Sequence, residues 1–301
     1  PHKSSWRPSW LLAAPHRLAF FSGALLLSFC ALWWGAVLVA RAMGWSLAWA
    51  VSPPAAHAVT MVTSFMPLFM VGFLFTAGPK WLMLPEVEAR SLLPSVTCIV
   101  IGWLLAIPGF HLSQVLAASG LACVSLGWSI LTWRFVDMLR RSRAPDREHA
   151  LLVACAAVVG VMALWLATLC LANGLEPGAR SAAQLALWGF VVPMFVTVSH
   201  RMLPFFTASA IPRQEAWRPS WVLWVLTGLL WLQAPLAIAE HWWWPLPIWL
   251  RWLQAAVELP AAALLLWLVV HWGLLAAMRV RLLAMLHLGF VWLGAAFALA
   301  G

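Results

Sequence analysis

Tyrosine is missing altogether, and charged side chains make up only 9% of the 301 residues. A water-soluble globule is typically about 25% charged, so this chain has too little polar surface to coat one. With 64% hydrophobic residues and a mean hydropathy of +0.91 it also lies far from disordered chains. The five cysteines (Cys30, Cys98, Cys123, Cys155, Cys170) fall inside apolar runs and make no Cys-x-x-Cys spacing. That argues against a disulfide scaffold or a thiolate metal site and for small buried hydrophobes. The chain has no His-Glu-x-x-His, no Gly-x-Ser-x-Gly, no phosphate loop and no dinucleotide-binding glycine fingerprint. The short alternating period of barrel strands is also lacking. The first apolar run is too long for the core of a cleavable signal and has no Ala-x-Ala exit, so it reads as a span.

What is there is a series of apolar stretches. A spanning helix needs about 20 mostly apolar residues. Nine stretches qualify: Leu18–Ala40, Ala55–Gly78, Leu92–Phe110, Ser113–Val136, Ala150–Ala172, Ala182–Phe206, Trp221–Ala239, Leu253–Leu275 and Leu282–Ala300. The third and fourth are joined by a very short link around His111, which predicts a tight helical hairpin. Prolines (Pro53, Pro54, Pro85, Pro212, Pro245, Pro247) mark other edges. Many of the 24 tryptophans stand at run ends, where an interfacial belt would place them: Trp45, Trp49, Trp81, Trp242, Trp243 and Trp244. The expected fold is therefore all-α, a polytopic transmembrane helix bundle of about nine spans, with residues 1–301 as a single integral membrane domain.

The net charge of +9 invites a nucleic-acid partner, but the cations sit in the short gaps between apolar runs, where they set orientation and meet anionic lipid. With a cytoplasmic N-terminus, the cytoplasmic segments hold all of the 18 basic residues except Arg41, Arg180 and Arg251. The expected partner is the bilayer, with no nucleic acid. The run from Arg140 to Arg147 reads as a solvated loop.

Ionisable groups inside spans are costly and are candidate functional sites by default. His57 opens the second span near its outer face, with Met61 one turn further on the same helix face. It is either a ligand for haem iron or copper, in which a His/Met pair suits Cu(I) or haem, or a hydrated interfacial histidine. His200 and Arg201 end the sixth span and point about 100° apart. Either His200 holds a metal while Arg201 meets a carboxylate or propionate, or Arg201 snorkels and His200 bonds to a helix carbonyl. By depth, His200, His271 and His287 share one layer, as a metal or haem site or as separate structural histidines. Arg134 also lies within a span. Glu258, placed in the outer half of span eight, is either a proton-relay carboxylate or a protonated, hydrogen-bonded group. Otherwise the midplane is nearly without charge, which argues against ion-coupled transport.

Four stretches together resemble the NnrS family of multi-span membrane proteins. They are Ala14-Pro15-His16-Arg17-Leu18-Ala19-Phe20-Phe21; His57-Ala58-Val59-Thr60-Met61 running on to Pro67 and then Gly72-Phe73-Leu74-Phe75-Thr76-Ala77-Gly78-Pro79-Lys80-Trp81; Ser199-His200-Arg201-Met202-Leu203-Pro204-Phe205-Phe206; and Leu286-His287-Leu288-Gly289-Phe290-Val291-Trp292. The resemblance runs in order over nearly the whole chain. It implies a haem- and copper-containing protein of the bacterial cytoplasmic membrane, associated with denitrification and resistance to nitric oxide. The ligands it implies are His57, His200 and His287, in the matching motifs. The chain departs from the family at Val59 and Thr60, where many members carry a second His and a Glu. Members also commonly continue into further spans, with another His-bearing motif, past the point that corresponds to Gly301. No Cys-x-x-Cys-His is present for covalent attachment, so the haem expected is b-type.

Within this frame Arg17, Lys80 and Arg201 are expected to border one cytoplasmic-side pocket for an anionic group such as haem propionates, with His57 in a separate outer site. The leading functional expectation is nitric oxide binding or turnover at haem iron, with electrons from quinol or another membrane donor. The alternatives are a haem–copper oxidase-like electron-transfer protein, weakened by the lack of a His-His pair or His-x-His motif, and a non-redox transporter or assembly factor.

Overall fold

The computed structural model describes residues 8–211 and 215–300; Lys3, Arg7, Pro212 and Arg213 lie outside the described residues. Among the described residues all regular structure is helical, and nine helices are long and apolar enough to cross a membrane. The chain divides into two compact units, Pro1–Val191 and Val192–Gly301.

In the first unit a short 3-10 turn (Pro8–Ala13) leads into α1 (Pro15–Ala42). There follow α2 (Pro53–Thr63), α3 (Met66–Trp81), α4 (Ala89–Leu112), α5 (Gln114–Arg141), α6 (Glu148–Ala172) and α7 (Glu176–Ala186). Proline sits in the first turn of α1, α2, α3 and α7, where its missing N–H costs no helix bond. The expected hairpin is α4 and α5, joined at Ser113. Its two backbones touch through glycines. A Cβ on Gly102 would fall 2.6 Å from the Gly120 carbonyl oxygen, and one on Gly120 would fall 2.5 Å from that of Gly102. Small residues allow this approach in a membrane, where dispersion between backbones replaces the hydrophobic drive. From there α5 packs on α6, α6 on α7, and α1 on α3.

Two predicted spans are interrupted. The second is split into α2 and α3 by Ser64 and Phe65, because Pro67 has no N–H to return to the carbonyl of Thr63. The sixth carries a π-helical turn at Leu187–Val191. Within it Phe190 lies against Trp128, with ring centroids 4.8 Å apart, and Gly160 leaves room for the Phe190 ring.

The second unit holds α8 (Val192–Ala210), α9 (Ser220–Trp242), α10 (Ile248–His271), α11 (Leu274–Ala277) and α12 (Arg281–Ala300). Here α10 packs chiefly on α12, and α8 packs on α9 and α12. The eighth span corrects the sequence reading. It begins at Ile248, directly after Pro247, rather than at Leu253, and it ends at His271 rather than Leu275. Gly273 is the reason for the early stop: its left-handed backbone (φ 88°) closes the helix before α11 starts. Glu258 consequently sits closer to the middle of its helix than the sequence reading placed it, still within the N-terminal half.

Candidate functional site

The first two motifs pack on each other. A Cβ on Gly72 of α3 would strike the Phe20 ring and crowd the His16 backbone of α1, so glycine is what lets the two helices close. Thr76 donates to the Gly72 carbonyl at 2.7 Å, which leaves its Oγ1 as an acceptor 3.4 Å from His16 Nδ1. Beside this pair opens a cavity of about 550 Å³, lined among others by His16, Thr76, Lys80, Glu86, Glu88 and Arg90. Lys80 is therefore at a pocket. Arg17 is exposed and is not among its lining residues, and Arg201 belongs to the second unit. His16, which sequence reasoning did not single out, joins the pocket through its place beside Thr76.

At the opposite end of α1, His57 of α2 lies flat on Trp34, with centroids 4.0 Å apart and planes 23° off parallel. Its Nδ1 is buried and makes no hydrogen bond. Met61, one turn on, is half-buried. Trp34 also lines a second cavity of about 420 Å³ with Arg41, Trp45, Trp49 and Pro53. His111 stands close by with both ring nitrogens engaged. Its Nδ1–H donates to the Ala48 carbonyl, and its Nε2 accepts from the Trp33 indole, each at 2.9 Å. His111 is thus a structural clasp in one fixed tautomer.

In the second unit, His200 on α8 and His287 on α12 are both fully buried. The His200 ring packs edge-on to Trp272 at 5.9 Å, and Trp272 in turn meets Phe290, which follows His287 by one helical turn. His287 Nδ1 donates to the Leu283 carbonyl at 2.9 Å, and its Nε2 is buried with no hydrogen-bond partner. A backbone carbonyl that fixes one ring nitrogen as N–H leaves the other as a lone pair, the state in which imidazole binds a metal. His271 differs from the other two: it is exposed and stacked on Trp267 at 5.0 Å, with Trp217 edge-on. Arg201 is half-buried in the middle of α8, which runs on to Ala210, so His200 and Arg201 do not end the sixth span as the sequence reading placed them.

Glu258 is fully buried, and its Oε1 accepts from the side-chain amides of Gln233 on α9 and Gln254 on α10. Neither glutamine was identified from sequence. The available signal was two amides inside otherwise apolar runs, one of them a helical turn before Glu258.

Among the described residues, no three His, Cys, Asp or Glu side chains converge as a metal cage would require. Haem makes a smaller demand. The porphyrin supplies the equatorial nitrogens, so one or two axial imidazoles suffice. The buried lone pair at His287 Nε2 fits that donor requirement, and His57 offers a buried ring nitrogen without a hydrogen bond.

Nine helices long and apolar enough to cross a membrane, among the described residues, define a multi-pass helical membrane protein. The family model described as "NnrS protein" matches residues 10–301, and the chain belongs to the NnrS family. Comparison with curated proteins and with solved structures gives no match.

Proposed function

We propose that this chain is a haem-binding protein of the bacterial cytoplasmic membrane that acts in the response to nitric oxide, oriented with its N-terminus in the cytoplasm. The observation that carries the reading is His287: its Nδ1–H is held by the Leu283 carbonyl, and its Nε2 is buried with no partner. A buried polar atom left unsatisfied costs about 1–3 kcal/mol, and coordination would remove that cost. His200, buried on the neighbouring helix and packed on Trp272, is the second candidate ligand. Arg201, next to His200 on α8, is the cation of this unit that would meet a propionate carboxylate. Haem, when bound, supplies reversible nitric oxide coordination and one-electron chemistry at iron, with a membrane quinol as the electron donor.

The chain's own residues do the remaining work. Trp272 and Phe290 hold the imidazoles' surroundings apolar and dry. His57, with Met61 one turn on, is a separate site of softer donor chemistry suited to Cu(I). Trp34 stacked on its ring fixes its orientation.

The test is the visible spectrum of the purified, reduced protein with metal analysis. A Soret band that shifts on addition of nitric oxide is expected, with haem content lost in His287→Ala. A colourless, metal-free preparation from haem-replete cells would remove the reading and favour a transporter or assembly factor.

A further inference from the structure

Glu258 is an acid in a place that penalises charge. It is fully buried near the middle of α10, in a helix long and apolar enough to cross a membrane. It has no ion-pair partner among the described residues. The hydrogen bonds that reach it are the two amide N–H bonds from Gln233 and Gln254, the latter at 2.9 Å, and both arrive at Oε1. Its other oxygen, Oε2, is buried with no partner, and so is Oε1 of Gln233. Two orphaned oxygens therefore belong to two side chains that are already bonded to each other.

The elements around it bring little compensating charge. On α9, which packs against α10, the titratable groups are Glu240 and His241, at the far helix end. On α12 they are Arg281 and His287, the latter bonded to Leu283. On α10 itself, Arg251 is exposed and lies 5.5 Å over the Trp244 ring, while His271 stacks on Trp267. A carboxylate with one bare, buried oxygen is a costly arrangement unless something positive meets that oxygen. A hard cation on oxygen ligands satisfies both orphans at once. The smallest such cation closes an amide–acid pair through one O–H···O bond.

We propose that Gln233, Gln254 and Glu258 form a binding site for a small monovalent cation, H⁺ or Na⁺, held between Glu258 Oε2 and Gln233 Oε1. Gln254 is a positioning residue, since its amide ties Oε1 from the same helix face one turn away and so turns Oε2 toward Gln233. Each helix also carries a proline two residues past its cluster member, Pro235 after Gln233 and Pro260 after Glu258. Each proline removes one backbone bond. The helices are least tightly laddered beside the site, which is where an exchanging ion needs them to yield. The site is independent of haem and of the histidines.

Infrared difference spectroscopy on the full chain in lipid nanodiscs tests this, comparing sodium-free with sodium-containing buffer in H₂O and D₂O. The expected result is the carbonyl band of a protonated carboxylic acid in sodium-free buffer, shifted in D₂O and absent in Glu258→Gln. Loss of the band on adding sodium, with a sodium-dependent rise in Tm, identifies Na⁺ as the competing occupant; a band indifferent to sodium identifies the proton alone. Gln233→Leu, which keeps the acid and removes the second oxygen, is expected to shift the band or abolish the sodium effect. A wild-type protein with neither the band nor a sodium response overturns the proposal, as does a Gln233→Leu variant identical to wild type. Haem absorbance read on the same samples keeps the outcome separate from that of the haem reading.

Discussion

At His287 a single hydrogen bond decides what the side chain offers. Donation from Nδ1 to Leu283 fixes the tautomer and presents Nε2 as a lone pair inside an apolar core. His287→Ala is therefore expected to abolish the Soret absorbance, whereas His271→Ala, at an exposed ring stacked on Trp267, is expected to leave it intact; absorbance per protein measures both. His111 is the contrasting case, with both nitrogens used by the protein. His111→Ala leaves the Trp33 indole N–H and the Ala48 carbonyl without their partner. That is expected to cost about 1–3 kcal/mol, read as a lower Tm in detergent with haem content unchanged. The candidate histidines were legible in the sequence because imidazole in an apolar run is rare and expensive. Their differing fates were not, since carbonyl partners and stacking tryptophans depend on rotamer and helix facing. Gln233 and Gln254 escaped notice because an uncharged amide barely alters the hydropathy of its run.

Among the elements, hydropathy located nine spans that match those of the described residues in number and order, because length and apolarity are what a bilayer selects, though ends such as Glu176 and Arg141 lie beyond the expected Ala182 and Val136. It did not find the interruptions at Ser64–Phe65 and Leu187–Val191, which preserve apolarity while changing backbone bonding. The displaced eighth span has the same origin. Pro247 and Gly273 set its ends, and Trp249 and Trp252 are apolar by composition whichever side of the boundary they occupy. The α4–α5 hairpin gives the sharpest test at this scale. Gly120→Ala puts a methyl against the immovable backbone of Gly102 and Ala106. Overpacking of about 1–3 kcal/mol is expected to outweigh the gain of about 1 kcal/mol in helix propensity. Gly35→Ala, with no atom near its Cβ, is expected to keep that gain. Tm values of the two variants should move in opposite directions.

For the whole molecule, the positive-inside asymmetry predicts the proposed orientation. In a background without the five native cysteines, a cysteine placed at Arg143 should react with an impermeant maleimide in inverted vesicles and not in intact cells. One placed at Trp45 should behave in the opposite way; the reverse pattern would invert the topology. The glycine-lined contact between α4 and α5, with Ser113 alone between them, also bears on how the protein is made. Two spans joined so closely have nowhere to part once the second emerges from the ribosome. They would leave the insertion machinery as a pre-paired wedge, whose cohesion owes nothing to iron or copper and against which later spans can be laid down before any prosthetic group arrives.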